Sequence, residues 1–282
     1  MTQSSKKRLV KAIPPELRNA IRDTRDAIRD VMLVPEKNYR LYLKYKSRSD
    51  KPNGYPKATS SNAVLRSRQE WENSVMQVEA LGLPLRRDLP KNWDSLATLE
   101  SILRKTNSEA KILDAGAESY SVILPWLYLY GYRHLTGINL VFDKPLRRGP
   151  ICYEYGDITQ TRFENDTFDV ITCLSVIEHG VNVRSYFQEA ARILKPNGML
   201  ITSTDYYPSP IDTRNQTAYG VPIHIFSKDE IISALTIANE YGLEITGMID
   251  LDCEEKPVRW EQFDLDYTFI VFTLQKVVST SS

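Results

Sequence analysis

The stretch AKILDAGAES, residues 110–119, decides how this chain is read. It opens on a short apolar run, KILDA (111–115), of the length of a buried strand. It closes on Asp114 and Gly116, where a strand must give way to a turn. A glycine there lets the backbone approach a ligand closely, and an acid beside it can hold a cationic or hydrogen-bonding group. In an open parallel sheet, ligands lie at the carboxyl ends of the strands, near the point where strand order reverses. This strand and its turn are therefore the first candidate for a binding site.

Outward from it, apolar runs alternate with helical segments. Strands are predicted at HLTGI (134–138), ICYEY (151–155), FDVITCL (168–174), MLITST (199–204), LEITGMID (243–250) and YTFIVFTL (267–274), with helices near 120–130, 183–194 and 227–241. The first five strands follow a β-α-β rhythm, which builds a parallel sheet covered by helices on both faces. The last two are joined by EEKPVRWEQFD, which lacks helical periodicity, so they read as a hairpin with an antiparallel edge strand. The fold class is α/β: a doubly wound, Rossmann-like, seven-stranded and mostly parallel sheet. The expected domain spans residues 95–278, and residues 1–94 form an N-terminal helical extension and linker.

Within the extension, Pro14 and Pro15 precede ELRNAIRDTRDAIRDVML, where Leu17, Ile21, Thr24, Ile28, Val31 and Met32 recur at helical spacing. This amphipathic stripe needs a cover, either the main domain or a second copy of the chain in a homodimer. KSRSDKPNGYPKATSSN (46–62) reads as a loop or linker. A helix over 66–81 carries Trp71, Val75, Val78 and Leu81 on one face and is stopped by Gly82 and Pro84. Asp94 is placed to cap the start of a further helix over 95–106.

Composition narrows the function classes. The chain is 42% hydrophobic and 26% charged with no net charge, which suits a globular enzyme. No apolar run approaches the ~18 residues of a membrane span, and the N-terminus lacks a secretory apolar stretch, so the expected location is the cytoplasm. Cys152, Cys173 and Cys253 show no CxxC spacing, and two of them sit in strand-like runs. They read as small hydrophobes, with no metal site expected. Residues 1–110 carry an excess of nine positive charges and the remainder the matching excess of nine negative ones. Two readings remain open: the halves neutralise each other on packing, or the basic part meets an anionic partner. The scatter of its positive charges among acids favours the first and argues against RNA.

Segment 110–204 resembles a class I S-adenosylmethionine-dependent methyltransferase of the small-molecule group, whose first motif reads hhDxGxGxG. GYRHLTGIN (131–139), YEYGDI (153–158), FDVITCLSVIEH (168–179) and ARILKPNGMLITSTDYY (191–207) resemble the four segments that follow it, in order. The resemblance implies S-adenosylmethionine as cofactor. It assigns the turn Asp114, Ala115, Gly116, Ala117, Glu118 and Ser119 to the methionine part of the cofactor, and Asn139 to the ribose hydroxyls. Asp157 and Ile158 would flank the adenine, and Leu174 and Ser175 would line the cleft near Ile177 to His179. Lys195-Pro196-Asn197-Gly198 would be a structural turn. The chain departs from the pattern at Glu118 and Tyr120, which stand where the motif has glycines, and at Asn139, which stands where the strand usually ends in an acid. Glu118 either takes over an acidic contact or marks a non-catalytic binding module on the same fold.

Three residues are candidates for catalysis. His179 either takes a proton from an acceptor hydroxyl or packs beside the cofactor. His224 either closes the acceptor pocket or bonds backbone in its loop. Asp205 leaves the fifth strand at its carboxyl end with Tyr206 and Tyr207, where it could act as a base or orient one. No Asn-Pro-Pro-Tyr sequence follows the fourth strand, which argues against DNA as substrate. The expected function is methyl transfer to oxygen on a small-molecule or glycan acceptor. The alternatives are the binding module and an RNA methyltransferase with a basic N-terminal arm.

Overall fold

The computed structural model describes residues 15–47, 49, 51–57 and 62–277. The polar arm read at residues 1–13 lies outside the described residues. Twelve strands and seven α-helices are present among those described. In chain order they are α1 (Pro15–Leu33), α2 (Glu36–Ser47), β1 (Ala63–Val64), α3 (Arg68–Ala80), α4 (Asn92–Lys105), β2 (Lys111–Ala115), α5 (Ile123–Leu129), β3 (His134–Asn139), β4 (Leu146–Arg148), β5 (Ile151–Tyr155), β6 (Phe168–Leu174), α6 (Val183–Ile193), β7 (Leu194–Tyr206), β8 (Thr217–Ala218), β9 (Val221–Pro222), α7 (Lys228–Glu240), β10 (Leu243–Ile245), β11 (Val258–Trp260) and β12 (Leu265–Lys276).

The main sheet has ten strands in the order β1-β12-β7-β6-β2-β3-β5-β4, with β10 and β11 also paired to β12. Strands β5, β3, β2, β6 and β7 run parallel, as expected. Strand β12 is antiparallel to β7 along its length, from Thr268 opposite Tyr206 to Gln275 opposite Met199. The doubly wound fold class therefore stands, and β1, β4 and β11 add strands that sequence periodicity did not show. Successive side chains of each central strand point to opposite faces. Ile112, Val170, Met199, Ile201 and Val271 enter one apolar cluster, and Leu113, Ile171, Leu200, Ile270 and Phe272 enter the other. Chain order reverses between β2 and β6, which places a crevice at their carboxyl ends.

Two connections differ from the β-α-β reading. Between β3 and β5 the chain makes β4, antiparallel to β5, in place of a helix. Helices α1 and α2 pack there instead: Gly149 N–H donates to Leu33 O at 3.0 Å, Arg148 pairs with Asp30 at 2.8 Å, and Tyr39 stacks on Tyr128. Between β5 and β6 a helix-free loop is pinned by α6, where Arg192 donates to Phe163 O and Glu189 accepts from Thr161. Lys195–Gly198 lies inside β7 as a bulge: Leu194 pairs with Phe168 and Met199 with Val170, with Asn197 at φ 63°. LEITGMID forms a strand only over its first three residues.

Helix caps follow the local sequence. Ser227 and Glu230 form a capping box at α7, and Asn182 accepts from Ser185 N–H at α6. Asp94 does not cap α4. The helix begins at Asn92, and the Asp94 carboxylate is turned inward, accepting from Ser203 Oγ at 2.6 Å and Ser95 Oγ at 3.3 Å. Residues 92–102 are all buried, because α4 is enclosed between the sheet and its helical neighbours. Leu33, Tyr39, Leu43, Leu65 and Val78 share one apolar cluster with Trp93 and Ile112, so the extension packs on the sheet layer itself. The α1 stripe is not covered where its side chains are described: Thr24, Ile28, Val31 and Met32 stay exposed, and only Leu33, outside the stripe, is buried. No helix among the described residues is long and apolar enough to cross a membrane.

Candidate active site

The turn after β2 is held from behind. Gly116 and Ala117 N–H both donate to Ile138 O, at 2.8 and 2.9 Å. Gly116 has φ 86°, and a Cβ there would run into both methyl groups of Val176. Only glycine tolerates both demands. Asn139 Nδ2 donates to Gly116 O at 3.1 Å, while its Oδ1 accepts from Val141 N–H at 3.2 Å. The amide at this strand end thus fixes the turn and retains one donor and one acceptor position. From the outer side, Arg148 donates to Ser119 O and, through its other terminal nitrogen, to Asp30.

The side chains of the turn leave an acidic cradle. Asp114 is buried and accepts from Thr172 Oγ1 at 2.8 Å. Burial pushes its carboxyl up to about 7, against the pull of Thr172 and the charge of Arg86. Glu118 is half-buried, burial raises its carboxyl, and no group among the described residues bonds its carboxylate. Tyr120 is 64% exposed, so its ring does not fill the space under the turn. Asp157 Oδ1 accepts from Thr159 N–H and Oγ1 at 2.8 and 2.7 Å, a local turn that holds the residue beyond β5 with Ile158 beside it. Leu174 ends β6, the strand next to β2, and Ser175 follows it. These residues fit S-adenosylmethionine: a close-approach backbone turn meets two carboxyl groups, Asp114 and Glu118, neither in a direct ion pair among the described residues, as a ligand carrying a sulfonium and an ammonium requires.

Across the crevice lies a charged cluster assembled from three segments. Lys91, from the loop ahead of α4, donates to Ser175 Oγ at 2.6 Å and to Asp205 Oδ1 at 3.3 Å. Glu178 Oε1 lies 4.0 Å from the same ammonium and has no hydrogen-bond partner among the described residues, while Oε2 accepts from Thr204 Oγ1. Burial and the charge of Asp205 push Glu178 up to about 8, with Lys91 pulling the other way. Burial also raises Asp205, opposed by its bond to Lys91. Burial lowers Lys91, and the two acids outweigh it, so the ammonium is held above its ordinary range. His179 is half-buried, its ring meets the exposed Tyr219 edge-on at 5.5 Å, and burial holds the imidazole below its usual range. It is therefore neutral at neutral pH and able to accept a proton.

Of the three sequence candidates, His179 and Asp205 are brought together, each feeling the other's charge. His224 joins neither: it pairs with Glu230 at 3.3 Å and packs edge-on against Phe226. The sequence reading missed Lys91, Arg86 and the acid role of Glu178. Glu178 adjoins His179 in the SVIEH stretch and could have been weighed with it. Nothing local marks Lys91 or Arg86, which lie more than 75 residues from β6 in the chain.

Comparison with known proteins identifies the family. A family model described as "Methyltransferase domain" matches residues 85–246. The ubiquinone biosynthesis O-methyltransferase of Rickettsia typhi is 28% identical over 195 residues, covering 62% of this chain and 77% of that protein. The protein of the same name from Rickettsia prowazekii is 31% identical over 104 residues, 34% of this chain, and only 40% of that relative is spanned. Among solved structures, an S-adenosylmethionine-dependent methyltransferase from Mesorhizobium loti is similar with a TM-score of 0.46 and 17% identity, covering 66% of this chain and 97% of that one. The chain belongs to the methyltransferase-domain family and is a class I S-adenosylmethionine-dependent methyltransferase.

Proposed function

We propose that the protein methylates an oxygen atom of a small-molecule acceptor, and that His179 takes the acceptor's proton. One observation carries this reading: half-buried His179 feels the charges of both members of the Lys91–Asp205 ion pair, and burial holds its imidazole below the usual range. Bound S-adenosylmethionine supplies a methyl group on a sulfonium that leaves readily. The protein's share of the work is to align the acceptor, exclude water and accept one proton. As the acceptor oxygen bonds the methyl carbon, its hydroxyl proton passes to the His179 imidazole. Asp205 stabilises the imidazolium that results. The exposed rings of Tyr120 and Tyr219 suit an acceptor with a flat or apolar part. The names of the Rickettsia relatives support oxygen as the accepting atom.

The extension and the domain expected at 95–278 share the work in this proposal: Lys91 and Arg86 come from the former and the cradle from the latter. The test is transfer of labelled methyl from S-adenosylmethionine to a panel of hydroxylated aromatic and alicyclic compounds. The expected product is a methyl ether, whose formation is lost in His179→Ala. Label appearing only on nitrogen, or only on RNA, would overturn the proposal.

A further inference from the structure

Lys91 lies in the loop just ahead of α4, and its ammonium reaches both Ser175 after β6 and Asp205 on β7. On the cofactor side it bonds Ser175, a non-glycine residue at φ 58° whose N–H donates to Ser203 O. Such a conformation persists only where neighbours hold it. On the acceptor side it bonds Asp205 and faces Glu178. Beneath it lies the Phe269 ring, with its centre 4.4 Å away. A buried ammonium is costly, and an apolar side chain would fill the place more cheaply if packing were the only demand.

We propose that Lys91 is a positioning residue of the transfer reaction, tethering the strained Ser175 turn to Asp205 so that cofactor and acceptor are held at one separation. The inference rests on the transfer reading above. The charged and titratable groups around this ammonium are Asp205 from β7, Glu178 and His179 after β6, Asp94 from α4, Arg86 from the preceding loop and Tyr120 beyond the β2 turn, while Asp88 and Tyr267 face Asp205. The cluster places one lysine against two close acids, so Lys91 also sets how much negative charge His179 meets. Its loss frees the Ser175 hydroxyl and removes a positive charge that lowers His179.

The test uses the full chain as Lys91→Met and as Ser175→Ala. Affinity for S-adenosylhomocysteine is measured by calorimetry, and the His179 titration by NMR of its imidazole, with only three histidines in the chain to assign. Lys91→Met is expected to weaken the cofactor product's binding about tenfold, as for a charge-assisted bond, and to move the His179 midpoint upward. A role in folding alone would not move that midpoint. Ser175→Ala is expected to weaken binding while leaving the His179 midpoint in place. Wild-type affinity and midpoint in folded Lys91→Met overturn the proposal. Should that variant not fold, wild-type affinity in Ser175→Ala overturns it. Neither readout needs an acceptor, so their failure leaves the transfer reading standing. Absence of methyl transfer with both readouts as expected removes that reading instead.

Discussion

The two walls of the crevice are built in different ways. The proposed cofactor wall is made of backbone: a positive-φ glycine, two N–H groups on one carbonyl, and an amide that ties the turn to the next strand. Nearly all of it lies within residues 114–119 and 139. The proposed acceptor wall is made of titratable side chains: Lys91, Glu178, His179 and Asp205, brought together from the loop ahead of α4, the loop after β6 and the end of β7. The first wall is local in sequence and rigid. The second exists only once the sheet has formed. The difference teaches that a turn built from local backbone and a cluster built from distant side chains can face each other across one sheet edge, the first legible in sequence and the second not.

That contrast can be broken from either side, and the largest effect is expected at the glycine. Gly116→Val demands an unfavourable backbone conformation and sends a branched side chain into Val176. It should abolish detectable S-adenosylhomocysteine binding and cost about 3 kcal/mol of stability, read by calorimetry and urea unfolding. Retained binding would show that the wall is not backbone-built. His179→Ala acts on the other wall only. It should lower kcat by roughly 10²–10⁴-fold while leaving the affinity for S-adenosylhomocysteine within about twofold of wild type, because the imidazole belongs to the acceptor side. Loss of affinity in step with kcat would merge the two walls into one.

A smaller effect is expected from pH. Burial lifts Glu178 from its ordinary value of 4.5 to about 8 in the folded chain. Between those values the folded state binds more protons than the unfolded one, so this group makes stability fall as pH rises. Glu178→Gln should remove that slope, and the difference between the two proteins should grow by at most about 1.4 kcal/mol per pH unit over this window. Denaturant unfolding at pH 5, 6.5 and 8 reads it. A constant offset would mean that the carboxyl ionises as freely in the folded chain as in the unfolded one. The smallest effect belongs to Tyr120. Its ring is 64% exposed, so Tyr120→Ala should change stability by less than about 0.5 kcal/mol and leave S-adenosylhomocysteine affinity near wild type. A large loss of affinity would mean that the ring closes over the turn when cofactor binds.

The same contrast governs what the sequence made legible. Strands β2, β3, β5 and β6 and helices α6 and α7 could be read because apolar period, caps and turn residues are local signals. The cofactor turn could be read for the same reason, since Asp114 and Gly116 sit at fixed offsets from a strand end. Strands β1, β4 and β11 are two or three residues long, too short to show a period, and owe their existence to the partners they pair with. Asp94 was misread because an acid ahead of an apolar helix looks like a cap. Its burial against Ser203 depends on a strand more than 100 residues away. Lys91 was invisible for the same reason: only the sheet brings it to Ser175 and Asp205. His224 carries the residue type that catalysis uses, but Glu230 and Phe226 engage it in its own neighbourhood.

The claim that the bend after β2 is a working cofactor cradle is tested most directly by titrating S-adenosylhomocysteine into the unmodified chain in a calorimeter. The account predicts a saturable isotherm with one molecule bound per chain. A flat isotherm at millimolar ligand, from protein whose sheet is intact by circular dichroism, would contradict it.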